Sequence, residues 1–205
     1  MARDMQSIVK MSRREGYALH PKAFKALVKR TSPPGQQQRR GGRNKPSQYA
    51  LQLREKQKVK RLYGLLERQF RNVMKIASRS RGQSGEVLLR LLEQRIDNAV
   101  YRSGFATSRR AARQLVTHGH FTLNGRRVNI PSIEVKIGDQ LAVRTQSRET
   151  DYFRKIDDVS PNPSDIPIWM KVNRKKFEIS ITGLPSRSDA EPDINESLIV
   201  EYYSR

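Results

Sequence analysis

Residues 107–132 read TSRRAARQLVTHGHFTLNGRRVNIPS, and this stretch decides the fold. Thr107 or Ser108 can cap a short helix, since either hydroxyl accepts from a first-turn amide. The helix runs to about His118, and Gly119 supplies the residue that stops it. Ala111, Ala112, Leu115 and Val116 share its inner face, while Arg109, Arg110, Arg113, Gln114 and Thr117 cover the outer one. Phe121 and Leu123 then alternate inward as in a strand. Asn124-Gly125 is a hairpin signal, because both residues tolerate the positive φ that a two-residue turn needs. The return strand spans 126–130 and ends at Pro131.

The same stretch is unusual in its charge. Asp97 and Glu134 bracket an interval without any carboxylate, yet it holds Arg102, Arg109, Arg110, Arg113, Arg126 and Arg127. Solvated faces commonly interleave acids with bases, which limits repulsion. Here nothing neutralises the arginines locally, so helix and hairpin together are expected to form one cationic surface for a polyanion.

Upstream, Ser84 and Gly85 precede what reads as one long helix, with Glu86 in its first turn where the helix dipole favours an acid. Leu88, Leu91, Leu92, Ile96, Ala99 and Val100 form its apolar face and Gly104 ends it. Asp97 sits beside Arg95, a spacing that suits a structural ion pair. Further back, Ser47 caps a basic helix from Gln48 to Leu62, and Gly64 breaks the chain. Leu66, Phe70, Val73 and Ala77 then recur at helical spacing.

Downstream, Val135, Ile137, the turn at Gly138-Asp139, Leu141 and Val143 supply strand material. From Glu149 onward the chain is acidic, with prolines around 160–167. Strand-like pieces follow at 168–172 and 176–182. The closing DINESLIVEYYSR reads as a short helix or strand that returns to an earlier domain. The expected class is α+β: a mostly helical domain plus a module of two helices and a small antiparallel sheet.

Composition agrees with a nucleic-acid partner. The 205 residues carry a net charge of +21, which disfavours a compact isolated chain unless a polyanion offsets it. Residues 1–81 hold 22 Lys and Arg against Asp4, Glu15, Glu55 and Glu67, whereas the remainder is nearly balanced, with 19 bases and 16 acids. The segment 31–47, TSPPGQQQRRGGRNKPS, has no apolar side chain. Its Arg39, Arg40, Arg43 and Lys45 are expected to reach phosphates from a loop.

Several classes of function are disfavoured. There is no cysteine, which excludes disulfides and thiolate metal sites. No apolar run is long enough for a membrane span. The N-terminus has no apolar core of a secretory signal, and Asp4 and Glu15 oppose a mitochondrial presequence. Neither GxxxxGK[ST] nor GxGxxG occurs. His118 and His120 would point to opposite sides of an extended chain, and His20 is distant, so no metal site or cofactor is expected. A rival reading, an enzyme that docks on RNA through such a module, would need a catalytic constellation, and its candidates are thin: Asp97, better suited to an ion pair with Arg95, and Asp157-Asp158.

Longer motifs carry a resemblance. SRREG (12–16), PGQ (34–36), LQLREKQKVKRLYG (51–64) and LLERQFRN (65–72) are followed by RIDNAVYRSGFATSRRAARQLVTHG (95–119), NGRRVNIPS (124–132) and DINESLIVEYYSR (193–205). In this order they resemble the bacterial-type family of small-subunit ribosomal protein four, in the form that lacks a zinc knuckle. Residues 95–145 are similar to the RNA-binding module named after that family.

The resemblance implies a discontinuous architecture and a partner set. A basic extension and loop (1–46) would precede a helical domain built from 47–94 plus 183–205, with the module inserted as 95–182. The chain would bind small-subunit ribosomal RNA at a junction of several helices and nucleate assembly. It would sit beside small-subunit protein five, near the channel that admits messenger RNA, and contribute to decoding accuracy. Its place would be a ribosome, cytoplasmic or organellar, with no membrane contact and no stand-alone homo-oligomer.

On matching positions, Ser108, Arg109, Arg113, Gln114, His118, Arg126 and Arg127 would face RNA, and Arg110, a cation added to the family's pattern, is expected beside them. Arg54, Lys58, Arg61, Arg68 and Arg71 on the two preceding helices would join them. Arg39, Arg40, Arg43 and Lys45 would lie near the entering messenger. Asp4 to Val9, Gln37-Gln38 and Ala111 depart from the family's usual pattern. At Ala111 a glutamate would otherwise close a capping box with Ser108.

Overall fold

The computed structural model describes residues 5–35, 46–160 and 166–204. Two compact units divide at Gly85 and at Pro192: Met1–Gly85 with Asp193–Arg205, and Glu86–Pro192. The edges expected from the resemblance lie at residues 94 and 182.

The first unit is helical. It contains α1 (Ile8–Glu15), α2 (Pro21–Lys29), α3 (Gln48–Leu62), α4 (Glu67–Arg79) and a C-terminal helix, Glu196–Tyr203. Helices α1 and α2 lie where the sequence suggests only an extension. Met11, Leu19 and Ala23 give them a buried side, Gly16 turns the chain at φ 66°, and His20 caps α2 by accepting from the Lys22 amide at 3.0 Å. Pro21 begins α2 at a position where a missing N–H costs nothing. Ser47 caps α3 as expected, accepting from the Ala50 amide at 3.3 Å.

The C-terminal helix packs on α3. Its own cap is Asn195, whose side chain accepts from the Leu198 amide. Gln52 on α3 donates to Glu201 at 2.8 Å, Glu55 accepts from the Asn195 amide at 2.9 Å, and Lys58 donates to the Asp193 carbonyl at 2.7 Å. The closing segment is therefore a helix, the first of the two readings its sequence allows.

The second unit begins within α5 (Ser84–Glu93), followed by α6 (Ile96–Arg102) and α7 (Arg109–Thr117). The expected single helix over 84–104 is in fact two. Arg95 adopts an extended conformation (φ −66°, ψ 139°) and bridges to Glu134 in antiparallel fashion. The Ile96 amide donates to the Ile133 carbonyl at 2.9 Å, and the Val135 amide to the Gln94 carbonyl at 2.8 Å. These sheet-like bonds replace the helical ones at the break, and they leave Val135 and Ile137 in a loop.

Strands β1 (Phe121–Leu123), β2 (Arg126–Val128), β3 (Gln140–Val143), β4 (Met170–Asn173) and β5 (Glu178–Ile181) form one antiparallel sheet in the order β2-β1-β3-β5-β4. Asn124 (φ 50°) and Gly125 (φ 79°) make the tight β1–β2 turn that the sequence announces. Three short helical turns between residues 145 and 159 follow β3. Phe153 and Ile156 from these turns enter the core beside Phe105, Phe121, Leu141, Trp169 and Ile179. The rings of Phe121 and Phe153 meet edge to face at 6.2 Å, which locks the turns against the sheet.

Candidate nucleic-acid interface

The interface is built on α7. Ser108 caps it, accepting from the Ala111 amide at 3.2 Å, and Ala112 and Val116 are fully buried beneath it. A helix advances about 100° per residue, so the side opposite this face carries Arg110, Gln114, Thr117 and His118. All four are exposed. Arg109 and Arg113 fall at the boundary, beside α6.

That boundary overturns one expectation. The sequence puts Arg109 and Arg113 on an outer face without acids, yet both reach carboxylates supplied from outside the acid-free interval. Arg113 donates to Asp97 Oδ2 from Nε at 2.8 Å and from Nη2 at 2.6 Å. Arg95 binds the same carboxylate through two bonds of 3.1 Å. Arg109 donates to Asn98 Oδ1 at 2.9 Å and to Glu191 at 3.2 Å, and its guanidinium lies 4.6 Å from the centre of the Tyr101 ring.

Glu93 anchors the neighbouring part of the network. Its side chain is wholly buried and accepts from Asn98 at 2.7 Å and from Arg102 at 3.0 and 2.9 Å. The expected Arg95–Asp97 pair is thus one part of a larger array. The side chains of Arg109 and Arg113 retain only 11% and 15% of their exposure, so the array fixes them rather than letting them swing in solvent.

The hairpin side differs. Arg126 and Arg127 are both exposed. Arg127 donates to the His118 carbonyl at 3.4 Å, which ties β2 to the end of α7 and places a cation at the negative end of its dipole. Gly119 (φ 74°) lies directly beneath this guanidinium: a Cβ there would stand 2.5 Å from Arg127 Nε. Arg144, absent from the candidates, donates to the Gly119 carbonyl at 3.4 Å and to Gln146 at 2.6 Å. Its part is not legible in the sequence because β3 lies apart from the basic stretch.

The left-handed turn at Gly119 also brings the rings of His118 and His120 to 6.1 Å, where an extended chain would have separated them. His120 Nδ1 lies 3.0 Å from Ser147 Oγ. Burial first, and then His118, Arg144 and Arg127, hold the His120 imidazole below its ordinary pKa, so it is neutral at pH 7. Among the described residues no group of three His, Asp or Glu side chains is arranged to hold a metal. Nor is any helix there long and apolar enough to cross a membrane.

The candidates on the helical unit also separate into two kinds. Arg68 and Arg71 are exposed on α4. Arg54, about half exposed, pairs with Glu15 at 3.3 Å. Arg61 pairs with the same buried carboxylate, and Lys58 holds Glu55 at 2.7 Å, so these two α3 cations serve the unit's own packing. Burial raises the Glu15 pKa above its ordinary value, against the pull of Arg61, Arg54 and Arg14. Glu67 moves the other way. Burial raises it, but hydrogen bonds from Lys56 and Lys60 outweigh that and hold it lower. Arg39, Arg40, Arg43 and Lys45 lie outside the described residues.

Comparison with known proteins places this geometry. Residues 3–93 match the family model described as the ribosomal protein S4/S9 N-terminal domain, and residues 94–141 match the S4 domain. The junction between the two matches coincides with the end of α5. The chain is 50% identical to small ribosomal subunit protein uS4 of Chloroflexus aurantiacus over 206 aligned residues, covering all of both chains. It is 50% identical to the uS4 protein of Chlorobaculum tepidum and 48% identical to that of Clostridioides difficile, again over the full length of each. On these matches, end to end and in both parts, the chain belongs to the small ribosomal subunit protein uS4 family.

Proposed function

We propose that this chain is a structural component of the small ribosomal subunit, bound to its ribosomal RNA through the α7 and β1–β2 surface. The family is structural and non-enzymatic. One observation carries the reading: Arg127 joins the hairpin to the end of α7, so its exposed guanidinium continues the row of Arg110, Gln114 and His118. Double-helical RNA presents backbone and 2′-hydroxyls more readily than base edges. Guanidinium groups set on a short helix and a tight turn suit that target, since their planar forks can bridge phosphates.

The target we propose is a multi-helix junction of small-subunit ribosomal RNA, bound early enough to nucleate assembly. The inserted module and the helical domain contribute separate contacts, the latter through Arg54, Arg68 and Arg71. The basic loop with Arg39, Arg40, Arg43 and Lys45 borders the path of messenger RNA, beside small-subunit protein five, where it bears on decoding accuracy. The location is the ribosome of a bacterial cytoplasm.

Footprinting tests this directly. The full chain is expected to protect a junction in folded small-subunit RNA at a concentration where an equal mass of unrelated structured RNA stays unprotected. It is also expected to sediment with the small subunit in extracts. Equal affinity for both RNAs overturns the junction reading.

A further inference from the structure

The sheet of the second unit has two faces, and the inner one packs on the core. The other face carries only polar and small side chains from edge to edge. Strand register aligns Arg127, Thr122, Ala142, Glu178 and Asn173 in one outward row. The neighbouring row runs Gln140, Ser180 and Lys171, with Asn124 bonded to Gln140 at its end. None of these residues is fully buried, whereas their alternates Phe121, Leu141, Val143, Ile179 and Ile181 all are.

The composition of this face identifies its occupant. It has no aromatic or large aliphatic side chain of the kind that anchors a protein partner. Its centre is small, with Ala142 between the hydroxyls of Thr122 and Ser180. Its edges are cationic, with Lys171 on β4 and, on β2, Arg127, which the face shares with the α7 surface. The β4–β5 turn adds exposed Lys175 and Lys176.

That turn is rigid. Asn173 accepts from the Lys176 amide at 3.1 Å, and the Phe177 ring is inserted between Phe105 and Phe153 at 6.2 and 6.1 Å. Arg174 is bound to Asp157 at 2.8 Å and to the Ile156 carbonyl at 3.1 Å. Arg174 and Phe177 hold the turn from within, leaving the two lysines outward. Four strand spacings separate the cationic edges, about 19 Å in all.

We propose that this outer face is a second RNA-contacting surface, which receives the minor-groove side of a double-helical segment. The cationic edges meet the two phosphate backbones, and the small polar centre admits the shallow groove with its 2′-hydroxyls. The Glu178 carboxylate repels phosphate but accepts from a ribose hydroxyl, which deoxyribose lacks. The inference rests on the RNA-binding reading above.

The absence of cysteine makes a clean test possible. Ser180→Cys and, separately, Gln114→Cys are tethered to an iron chelate in the full chain, bound to folded small-subunit ribosomal RNA, and made to release hydroxyl radicals. The chelate on the sheet variant is expected to cut both strands of one RNA helix, at nucleotides distinct from those cut by the chelate on the α7 variant. The Lys171→Ala/Lys176→Ala variant is expected to lower the salt slope of binding by about 1.4–1.8. Cuts from the α7 chelate with none from the sheet chelate, or sheet-chelate cuts confined to single strands, overturn the second surface alone. An unchanged slope removes the lysine edge and overturns the proposal in the same way. No cuts from either chelate overturn the RNA-binding reading as well.

Discussion

Asp97 and Arg113 stand sixteen residues apart in sequence and share two hydrogen bonds, of 2.8 and 2.6 Å. The same carboxylate holds Arg95, so one acid on α6 fixes the guanidinium groups of two arginines. Charge on this module is positioned by acids from flanking segments, and the acid-free interval is acid-free only along the chain.

Removing that acid is expected to be costly. Asp97→Ala leaves two nearly buried guanidiniums without their counter-ion, and breaking such a pair costs about 3–5 kcal/mol. Urea unfolding of the full chain should register most of this loss. Arg109→Ala with Arg113→Ala should also destabilise the module, instead of acting on RNA affinity alone.

Arg110→Ala with Arg126→Ala should behave in the opposite way. Both side chains are exposed, so thermal stability is expected to stay within about 0.5 kcal/mol. The slope of log affinity against log salt should fall by about 0.7–0.9 for each phosphate left without its cation. A titration from low to moderate salt with small-subunit RNA measures it.

Gly119→Ala combines two effects. The left-handed backbone at φ 74° costs a residue with a Cβ about 1–2 kcal/mol, and the added carbon displaces the Arg127 guanidinium. Melting temperature should therefore drop, and RNA binding should show the same reduced salt slope as Arg127→Ala.

The acid side of the stability profile should carry opposed contributions from Glu15 and Glu67. Glu15 has a raised folded pKa, so the folded state takes up its proton first. Its contribution to stability grows as pH falls from the folded value toward the ordinary 4.5. Glu67 has a lowered folded pKa, so its contribution is full above 4.5 and is lost as pH falls through the folded value. In urea titrations at stepped pH, Glu15→Gln should lack the gain above pH 4.5, and Glu67→Gln should lack the loss below it.

What the sequence makes legible is local. Ser108, Gly119 and Asn124-Gly125 act on residues within four positions, so cap, stop and turn can be read from neighbours. The division of α5 from α6 cannot, because Arg95 is no helix breaker. Its extended backbone is imposed by bonds to residues 133–135. The turns over 145–159 are too short for a periodic signal. The candidate site is legible in residue type but not in state. Nothing near Arg109 announces Glu191, eighty-two residues away.

The bonds from α3 to Asp193, Asn195 and Glu201 impose an order on biosynthesis. During translation all of Glu86–Pro192 emerges before α3 meets the partners that satisfy it. The nascent chain can thus complete its module while its strongly basic opening half still waits for closure. A transcript ending before codon 193 would release a protein with a finished module and an unsealed helical half, a target for quality-control proteases.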